Sequence, residues 1–238
     1  MRREMRGLSG LPIVTYKTQV TPGTVYINVY CAHFLTFIPK VIYMNNKSID
    51  WVNYFENTKN YPPAPLLVKA MEYVTVKNKA IDIGGGGTLK DTKYLLSQGF
   101  ETTLIDREKA VEVAVQHIKS EKLKFFLTDF ADFNFLQNEY DVAAAIYSLP
   151  FIHSSKFAGV FEDIKKSLVK NGIFCGQFFG KHDGWHMNPK LTFMTKEKVQ
   201  SMLEDMDVIL FDEKEFDGKT AEGSPKHWHV FDIIARKK

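Results

Sequence analysis

Short apolar runs alternate with segments of helical periodicity from residue 62 to the end of the sequence. The runs at 80–83, 101–106, 123–129, 140–148 and 173–180 predict strands, and the segments between them predict helices. Strands that are separated by helices pair in parallel, with helices covering both faces of the sheet. The alternation therefore predicts an α/β fold with a doubly wound, mostly parallel sheet.

The end of the sequence departs from this alternation. The apolar segments 207–216 and 227–237 are close enough in the chain to pair with each other as a hairpin. Before them, 154–172 predicts a helix that Ser154 caps and that Asn171-Gly172 ends. We therefore expect the sheet to finish in an antiparallel pair.

Four consecutive glycines, Gly84 to Gly87, follow the first predicted strand and precede a helix. Such a turn exposes backbone N–H groups and a helix N-terminus to a ligand that lies directly on the chain. The dinucleotide fingerprint G-x-G-x-x-G is incomplete, because Leu89 or Lys90 stands where the third glycine belongs. Asp82, inside the strand, would repel a pyrophosphate and can receive a positively charged group. The turn predicts a ligand site of another kind.

Acidic residues end the next two predicted strands. Asp106 is placed to accept hydrogen bonds from both hydroxyls of a ribose, as in nicotinamide and methyl-donor cofactors alike. Asp129 and Phe130 offer an acceptor for an exocyclic amine and an aromatic face for an adenine. Together these residues predict a cofactor that contains a nucleoside.

Over residues 50–238 this pattern resembles the class I S-adenosylmethionine-dependent methyltransferases. The resemblance runs from the glycine motif through Asp106 and Asp129-Phe130 to "YSLPFI" (147–152), "LVKNGIFCGQFFG" (168–180) and the last predicted strand. It is nearest to the small-molecule branch that includes tellurite-resistance-type enzymes. It implies a Rossmann-like sheet with an antiparallel C-terminal hairpin strand, S-adenosyl-L-methionine as cofactor and a small-molecule acceptor.

The resemblance also implies which residues contact the cofactor: Asp82, Gly84, Gly85, Gly86, Asp106, Arg107, Asp129, Phe130, Tyr147 and Ser148. In it, Asp82 lies near the methionine ammonium, and Tyr147 and Ser148 line the methyl-donor end. The activated methyl group is transferred by in-line displacement, in which alignment alone can supply about 7–11 kcal/mol of the barrier. We assign no catalytic acid or base, because the nucleophile needs a base only if it arrives protonated.

Two other functions remain open. A nicotinamide-dependent oxidoreductase shares the ribose-binding acid, although the missing third glycine and Asp82 count against it. A cofactor-binding protein without catalysis is also compatible with the sequence, because methyl transfer needs no obligatory catalytic residue.

The acceptor pocket is predicted where the loop after the fifth strand meets the start of the last strand. Trp185 and His186 lie in that loop, and His229 lies at that start. Tyr54 belongs to a segment, 51–61, that resembles the family's lid. The alternative is that these aromatic residues only pack the hairpin onto the body. His182-x-x-x-His186 has the spacing of metal ligands, but Gly184 makes a helix there unfavourable, and we assign no metal site.

Residues 1–43 differ from the rest of the chain. They carry five basic residues against one acidic residue, and they show no clear helical or strand period. They are an N-terminal extension, a targeting segment or a β-rich decoration, and we divide the chain into this extension of uncertain order and a methyltransferase domain over 44–238. Within that domain, 44–75 is a helical lid.

Charge and cysteine content limit the remaining classes. The first 43 residues carry a net charge of +4 and the rest of the chain about −1. No long basic run offers a surface for nucleic acid. No apolar run is long enough for a membrane span. Two cysteines, Cys31 and Cys175, form no disulfide framework. We therefore expect a cytoplasmic protein that binds neither nucleic acid nor a membrane, and the oligomeric state stays open.

Overall fold

In the computed structural model, the structure describes residues 51–238 together with two short strands near the start of the chain. Those strands, Met5–Arg6 and Pro12–Ile13, pair antiparallel. The chain divides into two units, Met1–Lys47 and Ser48–Lys238. Apart from the strand pair, the interpretation of 1–43 as an extension lies outside the described residues.

Helices and strands alternate along the second unit, as the sequence predicts. The helices are α1 (Trp51–Thr58), α2 (Pro65–Ala70), α3 (Lys90–Ser97), α4 (Lys109–Val115), α5 (Ser154–Ser167) and α6 (Lys196–Met202), with 3₁₀ turns at Met71–Tyr73 and Leu149–Phe151. The strands are β1 (Lys79–Ile83), β2 (Glu101–Asp106), β3 (Leu123–Leu127), β4 (Tyr140–Ala145), β5 (Leu168–Gly180), β6 (Phe193–Met194), β7 (Met206–Lys219) and β8 (Pro225–Lys237).

The strands form one sheet in the order β3-β2-β1-β4-β5-β8-β7, and β6 pairs with the end of β5. The strands β1 to β5 pair with one another in parallel. β8 is antiparallel both to β5 and to β7. This arrangement is a Rossmann-like α/β sheet with an antiparallel C-terminal hairpin, which confirms the predicted fold class.

The predicted helix over 154–172 is too long. α5 ends at Ser167, and Leu168 is already extended, with ψ 142°, and is the first residue of β5. β5 therefore begins before the predicted strand at 173, because Leu168 already pairs with Tyr140 of β4. The pairing then shifts register before Val142 pairs with Ile173, and Asn171 in the shifted segment has φ +67°. His153, not Ser154, caps the helix, because its ring accepts a hydrogen bond from the Ser155 N–H at 3.3 Å.

Apolar side chains cover the sheet on both faces. One cluster joins α5, through Phe157 and Phe161, to Phe174 and Phe178 of β5. A second cluster joins α2 and α3 to alternate residues of β4 and β5 on the opposite face, including Val142. Because successive side chains of a strand point to opposite faces, β5 supplies both clusters. The buried sheet leaves the carboxyl ends of its parallel strands as the edge where ligands bind in such folds.

Among the described residues, no helix has the length and apolar content that crossing a bilayer requires.

Candidate functional site

The glycine turn leaves β1 in a conformation that disfavours side chains. Gly84 and Gly86 have φ +72° and +66°, in the left-handed region. A Cβ at Gly84 would lie 2.7 Å from Ser148 Cβ, so the turn also runs tightly past the end of β4. The Gly84 N–H donates to the Ile105 carbonyl at 2.8 Å, which ties the turn to β2.

The other two glycines are required by packing. A Cβ at Gly85 would lie 2.5 Å from both Asp82 Oδ2 and Leu104 Cδ1. A Cβ at Gly87 would overlap the ring of Phe55, which lies against the turn from α1. Like Gly84, these two glycines therefore make room for the protein's own side chains.

Asp82 is buried next to the carboxyl end of β1, with 1% of the residue exposed. Its Oδ2 accepts a hydrogen bond from the Thr92 hydroxyl at 2.6 Å. Burial, with the nearby charge of Asp91, raises the pKa of Asp82 to about 7. A positively charged ligand group beside Asp82 would restore the ionised form.

Asp106 is buried at the end of β2 and holds the turn. Its Oδ2 accepts from the Gly86 N–H at 3.0 Å, and its Oδ1 accepts from the Glu108 N–H at 2.8 Å. Burial raises the pKa of Asp106, although these backbone bonds favour the ionised form. Each carboxylate oxygen keeps a second lone pair that can accept from a ligand hydroxyl.

Arg107 and Asp129 bind each other beside this carboxylate. Arg107 Nη1 lies 3.1 Å from Asp129 Oδ2, and Asp129 Oδ1 accepts from the Ala131 N–H at 2.9 Å. Arg107 and Phe130 line the large cavity described below, whereas Asp129 is not among its lining residues.

Tyr147 holds a strained backbone conformation where β4 ends. Its φ is +52°, which is rare for an aromatic residue and costs about 1–3 kcal/mol. The side chain of Gln177 accepts from the Tyr147 N–H at 2.9 Å, and the Gln177 amide donates to Asp232 at 3.0 Å. Residues of β5 and β8 therefore hold Tyr147 in place. Burial raises the pKa of its phenol to about 12, so the phenol is neutral at physiological pH.

Ser148 follows with a hydroxyl that lacks a partner. Among the described residues, its Oγ is the one buried side-chain polar atom without a hydrogen bond. Buried polar atoms are nearly always paired, and an unpaired one costs about 1–3 kcal/mol. Because Ser148 lines the cavity beside Gly84, a ligand there can supply the missing bond.

These groups line one cavity of about 540 Å³. It is bounded by the glycine turn, by the ends of β1, β2, β4 and β5, by α1 and by the start of β8. Asp82 and Asp106 mark one end, beside the glycine turn, and Phe179, Trp185 and Trp228 mark another, which we call the aromatic end. A volume of this size accommodates a drug-sized ligand.

Trp185 lines the aromatic end together with Phe179 and Trp228, and Tyr54 lines the cavity from α1. The rings of Trp185 and Trp228 lie 5.8 Å apart between centroids, and Tyr147 meets Trp228 edge to face at 5.9 Å. Trp185 is therefore on the same edge of the sheet as the glycine turn.

His186 and His229 are not among the lining residues. The His186 Nδ1 lies 2.9 Å from the Asp183 carbonyl. His229 is buried, accepts from the His182 N–H at 3.1 Å through Nδ1, and lies 3.1 Å from Glu213 through Nε2. Alternation along β8 turns His229 away from the cavity and Trp228 towards it.

His182, Glu215 and His229 bring three potential metal ligands within 4.8 Å of one another. Hydrogen bonds account for this arrangement. Because His229 Nδ1 accepts a backbone N–H, its proton lies on Nε2, which faces Glu213. The His182 Nδ1 lies 3.1 Å from Glu215.

Sequence reasoning missed several lining residues: Trp51, Phe55, Lys90, Asp91, Phe151, Phe179, Phe216 and Trp228. Asp91 is the most consequential of them, because it is buried, accepts from the Ala64 N–H at 2.7 Å and pairs with Lys90 at 2.6 Å. The alternation in β8 was the signal that could have identified Trp228. Nothing in the sequence marks Phe55.

Residues 81–176 match the family model described as "Methyltransferase domain". The match runs from β1 into β5 and includes the glycine turn. No curated protein matches the chain.

Solved structures share the fold. TehB from Haemophilus influenzae has a TM-score of 0.65 and 15% identity, over 78% of this chain and 67% of TehB. A 1,6-didemethyltoxoflavin-N1-methyltransferase from Burkholderia thailandensis has a TM-score of 0.60 and 17% identity, over 79% of this chain and 86% of that one. That structure contains 1,6-didemethyltoxoflavin and S-adenosylhomocysteine. The N-methyltransferase NodS from Bradyrhizobium japonicum WM9 has a TM-score of 0.56 and 15% identity, over 72% of this chain and 92% of NodS.

Proposed function

We propose that this chain, which carries an S-adenosylmethionine-dependent methyltransferase domain, transfers the methyl group to a small-molecule acceptor held at the aromatic end of its cavity. The structural neighbour that contains 1,6-didemethyltoxoflavin supports an acceptor of this size. The low cysteine content supports a reaction in a reducing compartment such as the cytoplasm.

One buried group beside the cavity has no partner in the described part of the protein. Ser148, which lines the cavity next to Gly84, buries a hydroxyl that makes no hydrogen bond there. The unpaired hydroxyl of Ser148 is the observation that carries the proposal, because a folded protein rarely leaves a buried polar atom without a hydrogen-bond partner and a ligand in the cavity would supply one.

In this assignment, Asp82 faces the cofactor's ammonium, Asp106 accepts from its ribose hydroxyls and Phe130 packs on its adenine. Gly84, Gly85 and Gly86 let the backbone approach it. Arg107 lies at the rim, and Asp129 acts through its ion pair with Arg107. Tyr147 and Ser148 lie where the two ends of the cavity meet.

The cofactor, when bound, supplies a methyl group that is already activated. The protein contributes alignment of the acceptor with that methyl group, which lowers the barrier without a proton transfer from the chain. Tyr54, Trp185 and Trp228 are the side chains that orient the acceptor. We assign His186 and His229 a supporting role in the loop and hairpin behind these rings, since neither lines the cavity.

A thermal-shift comparison of S-adenosylhomocysteine and NAD⁺ tests the proposal. At one hundred times its dissociation constant, S-adenosylhomocysteine should stabilise the protein by about 2.7 kcal/mol, and NAD⁺ should leave the melting temperature unchanged. Stabilisation by NAD⁺ alone would favour an oxidoreductase. Binding of S-adenosylhomocysteine without methylation in a screen of small molecules with labelled cofactor would favour a cofactor-binding protein without catalysis.

A further inference from the structure

We propose that the acceptor is a planar aromatic compound that reacts as an anion, and that it lies against Trp185 and Trp228 with the buried ammonium of Lys226 behind those rings. This inference rests on the proposed methyl transfer and names the substrate class of the same site. It makes Lys226 a positioning and specificity-determining residue.

Lys226 lies within a cage of three aromatic rings. Its Nζ is 3.3 Å from the ring centroid of Trp228, 4.3 Å from that of Trp185 and 4.7 Å from that of Phe179. The lysine side chain is 1% exposed and does not line the cavity, whereas all three rings do. The rings therefore separate the ammonium from the space that a ligand would fill.

Asp183 is the counter-ion of this lysine. Its Oδ2 lies 2.6 Å from Lys226 Nζ, and its side chain is fully buried. Asp183 also accepts from the Trp185 N–H at 2.9 Å and from the His229 N–H at 3.3 Å, so it is fixed on the side of the loop and hairpin. The pair consequently presents its positive end to the rings. Burial lowers the pKa of Lys226 to about 8, so the ammonium form predominates at neutral pH.

A cation on one face of an aromatic ring changes what the other face attracts. Aromatic faces are negative and attract cations, and Lys226 already occupies that interaction for Trp185 and Trp228. A cationic ligand on the cavity side of these rings would be repelled by the Lys226 ammonium. A flat, electron-rich or anionic ring is favoured there instead. The angles between neighbouring rings, 54° for Trp185–Trp228 and 71° for Tyr147–Trp228, leave slots suited to a flat ligand.

The opposite end of the cavity carries the opposite charge. Asp82 and Asp106 are buried there beside the glycine turn, and no ion pair involves either of them among the described residues. The two cations that also line this end are already paired, Lys90 with Asp91 and Arg107 with Asp129. An anionic acceptor is repelled from that end and drawn to the rings, while a cationic donor is favoured at the carboxylates. The carboxylates repel the anionic acceptor and the Lys226 ammonium repels the cationic donor, so charge favours one order of the two ligands along the cavity.

An anionic acceptor also balances the reaction without a base. A lone pair on its oxygen, nitrogen or sulfur forms the bond to the methyl carbon, and the carbon–sulfur bond breaks with its electrons returning to sulfur. The sulfonium charge and the acceptor charge cancel, and no proton has to be removed. This chemistry agrees with a cavity in which we assign no catalytic base.

Three probes with one ring system test the inference: 2-naphthoate, neutral 2-naphthamide and the 2-naphthylmethylammonium cation. Their dissociation constants are measured by calorimetry on the full chain saturated with S-adenosylhomocysteine. We expect 2-naphthoate to bind about tenfold more tightly than 2-naphthamide, equivalent to about 1.4 kcal/mol, and the cation to bind most weakly. The neutral pair variant Lys226→Met/Asp183→Asn should bring the three constants within about twofold of one another.

The double variant is chosen because Lys226→Met alone would leave Asp183 buried without its counter-ion and could prevent folding. Lys165→Met is the matched control, because Lys165 also lies near an aromatic ring, 5.9 Å from the Phe161 centroid, and is remote from the cavity lining. It should keep the preference for 2-naphthoate.

Each result decides one question. Equal or tighter binding of the cation to the wild-type chain would overturn the charge assignment, as would a preference for 2-naphthoate that survives in the double variant. Failure of all three probes to bind would overturn the planar class. In either case stabilisation by S-adenosylhomocysteine leaves the methyl-transfer proposal standing, whereas failure of S-adenosylhomocysteine to bind overturns both proposals.

Discussion

At the scale of single residues, two buried carboxylates next to the glycine turn determine how the cavity responds to charge and pH. Asp82 and Asp106 are both buried and both have raised pKa values, but their neighbours differ. Asp106 accepts two backbone N–H bonds, which fix it in place and favour its charge. Asp82 has the Thr92 hydroxyl and faces the repulsion of Asp91. The two residues should therefore respond differently to substitution and to pH.

Replacing Asp106 tests its proposed bonds to a ribose. Asp106→Ala should weaken S-adenosylhomocysteine binding by about 1.5–3 kcal/mol, because hydrogen bonds to charged groups are the stronger ones. Calorimetry measures the change. Asp207→Ala is the control, since Asp207 is exposed on β7 and does not line the cavity. Equal affinities for both variants would refute the proposed role of Asp106.

Asp82 predicts a pH-dependent affinity. Below its pKa of about 7 it is largely protonated and offers a ligand ammonium no charge, whereas above it the carboxylate attracts that group. The dissociation constant of S-adenosylhomocysteine should therefore fall about tenfold from pH 6 to pH 8, as expected for linkage to one proton. Asp82→Asn should give a flat profile over this range. A wild-type profile that is equally flat would remove Asp82 from ammonium binding.

At the scale of elements, α1 and the glycine turn are built to fit each other. The Phe55 ring fills the space that a side chain at Gly87 would take. The turn therefore serves as a docking surface for a helix as well as a ligand site. A change in the turn should consequently be transmitted to α1.

Gly87→Ala should destabilise the protein by about 1–3 kcal/mol, the usual effect of overpacking, and should loosen α1. Thermal unfolding measures the first effect, and hydrogen exchange of the α1 amides measures the second. Gly159→Ala in α5 is the matched control, because a Cβ there meets nothing within 4 Å. That substitution should stabilise the helix by about 0.5–1 kcal/mol. Similar melting temperatures for the two variants would show that the Phe55 ring moves aside without loss of stability.

Element identity was predictable here because periodicity reflects burial, and β4 and the second half of β5 are short runs of mostly apolar, buried residues. The boundary at 167–168 was not predictable, because residues 168–172 leave the helix only through the irregular pairing with β4. In the cavity, the predicted cofactor residues follow strand ends, which sequence marks well. Trp228 and Phe55 depend on a strand face and on helix docking, and those are set by tertiary packing.

At the scale of the whole molecule, the prediction concerns whether residues 1–43 are needed for folding and ligand binding. We propose that residues 1–43 are dispensable, since they differ in charge and periodicity from the rest. A chain that begins at Met44 keeps all of Ser48–Lys238 and should retain its melting temperature and its affinity for S-adenosylhomocysteine. Thermal unfolding and calorimetry on both chains check this. A large fall in melting temperature would show that the first 43 residues contribute to the core.

The two ends of the cavity come from separate stretches of the chain. The carboxylates and the glycine turn lie within 82–130, whereas Trp185, Trp228 and the lysine behind them lie within 179–228. Either end can therefore be changed by exchanging one stretch of sequence without altering the other stretch. Under the proposed function, a recombinant chain that exchanges only the later stretch should bind a different acceptor and keep its affinity for S-adenosylhomocysteine.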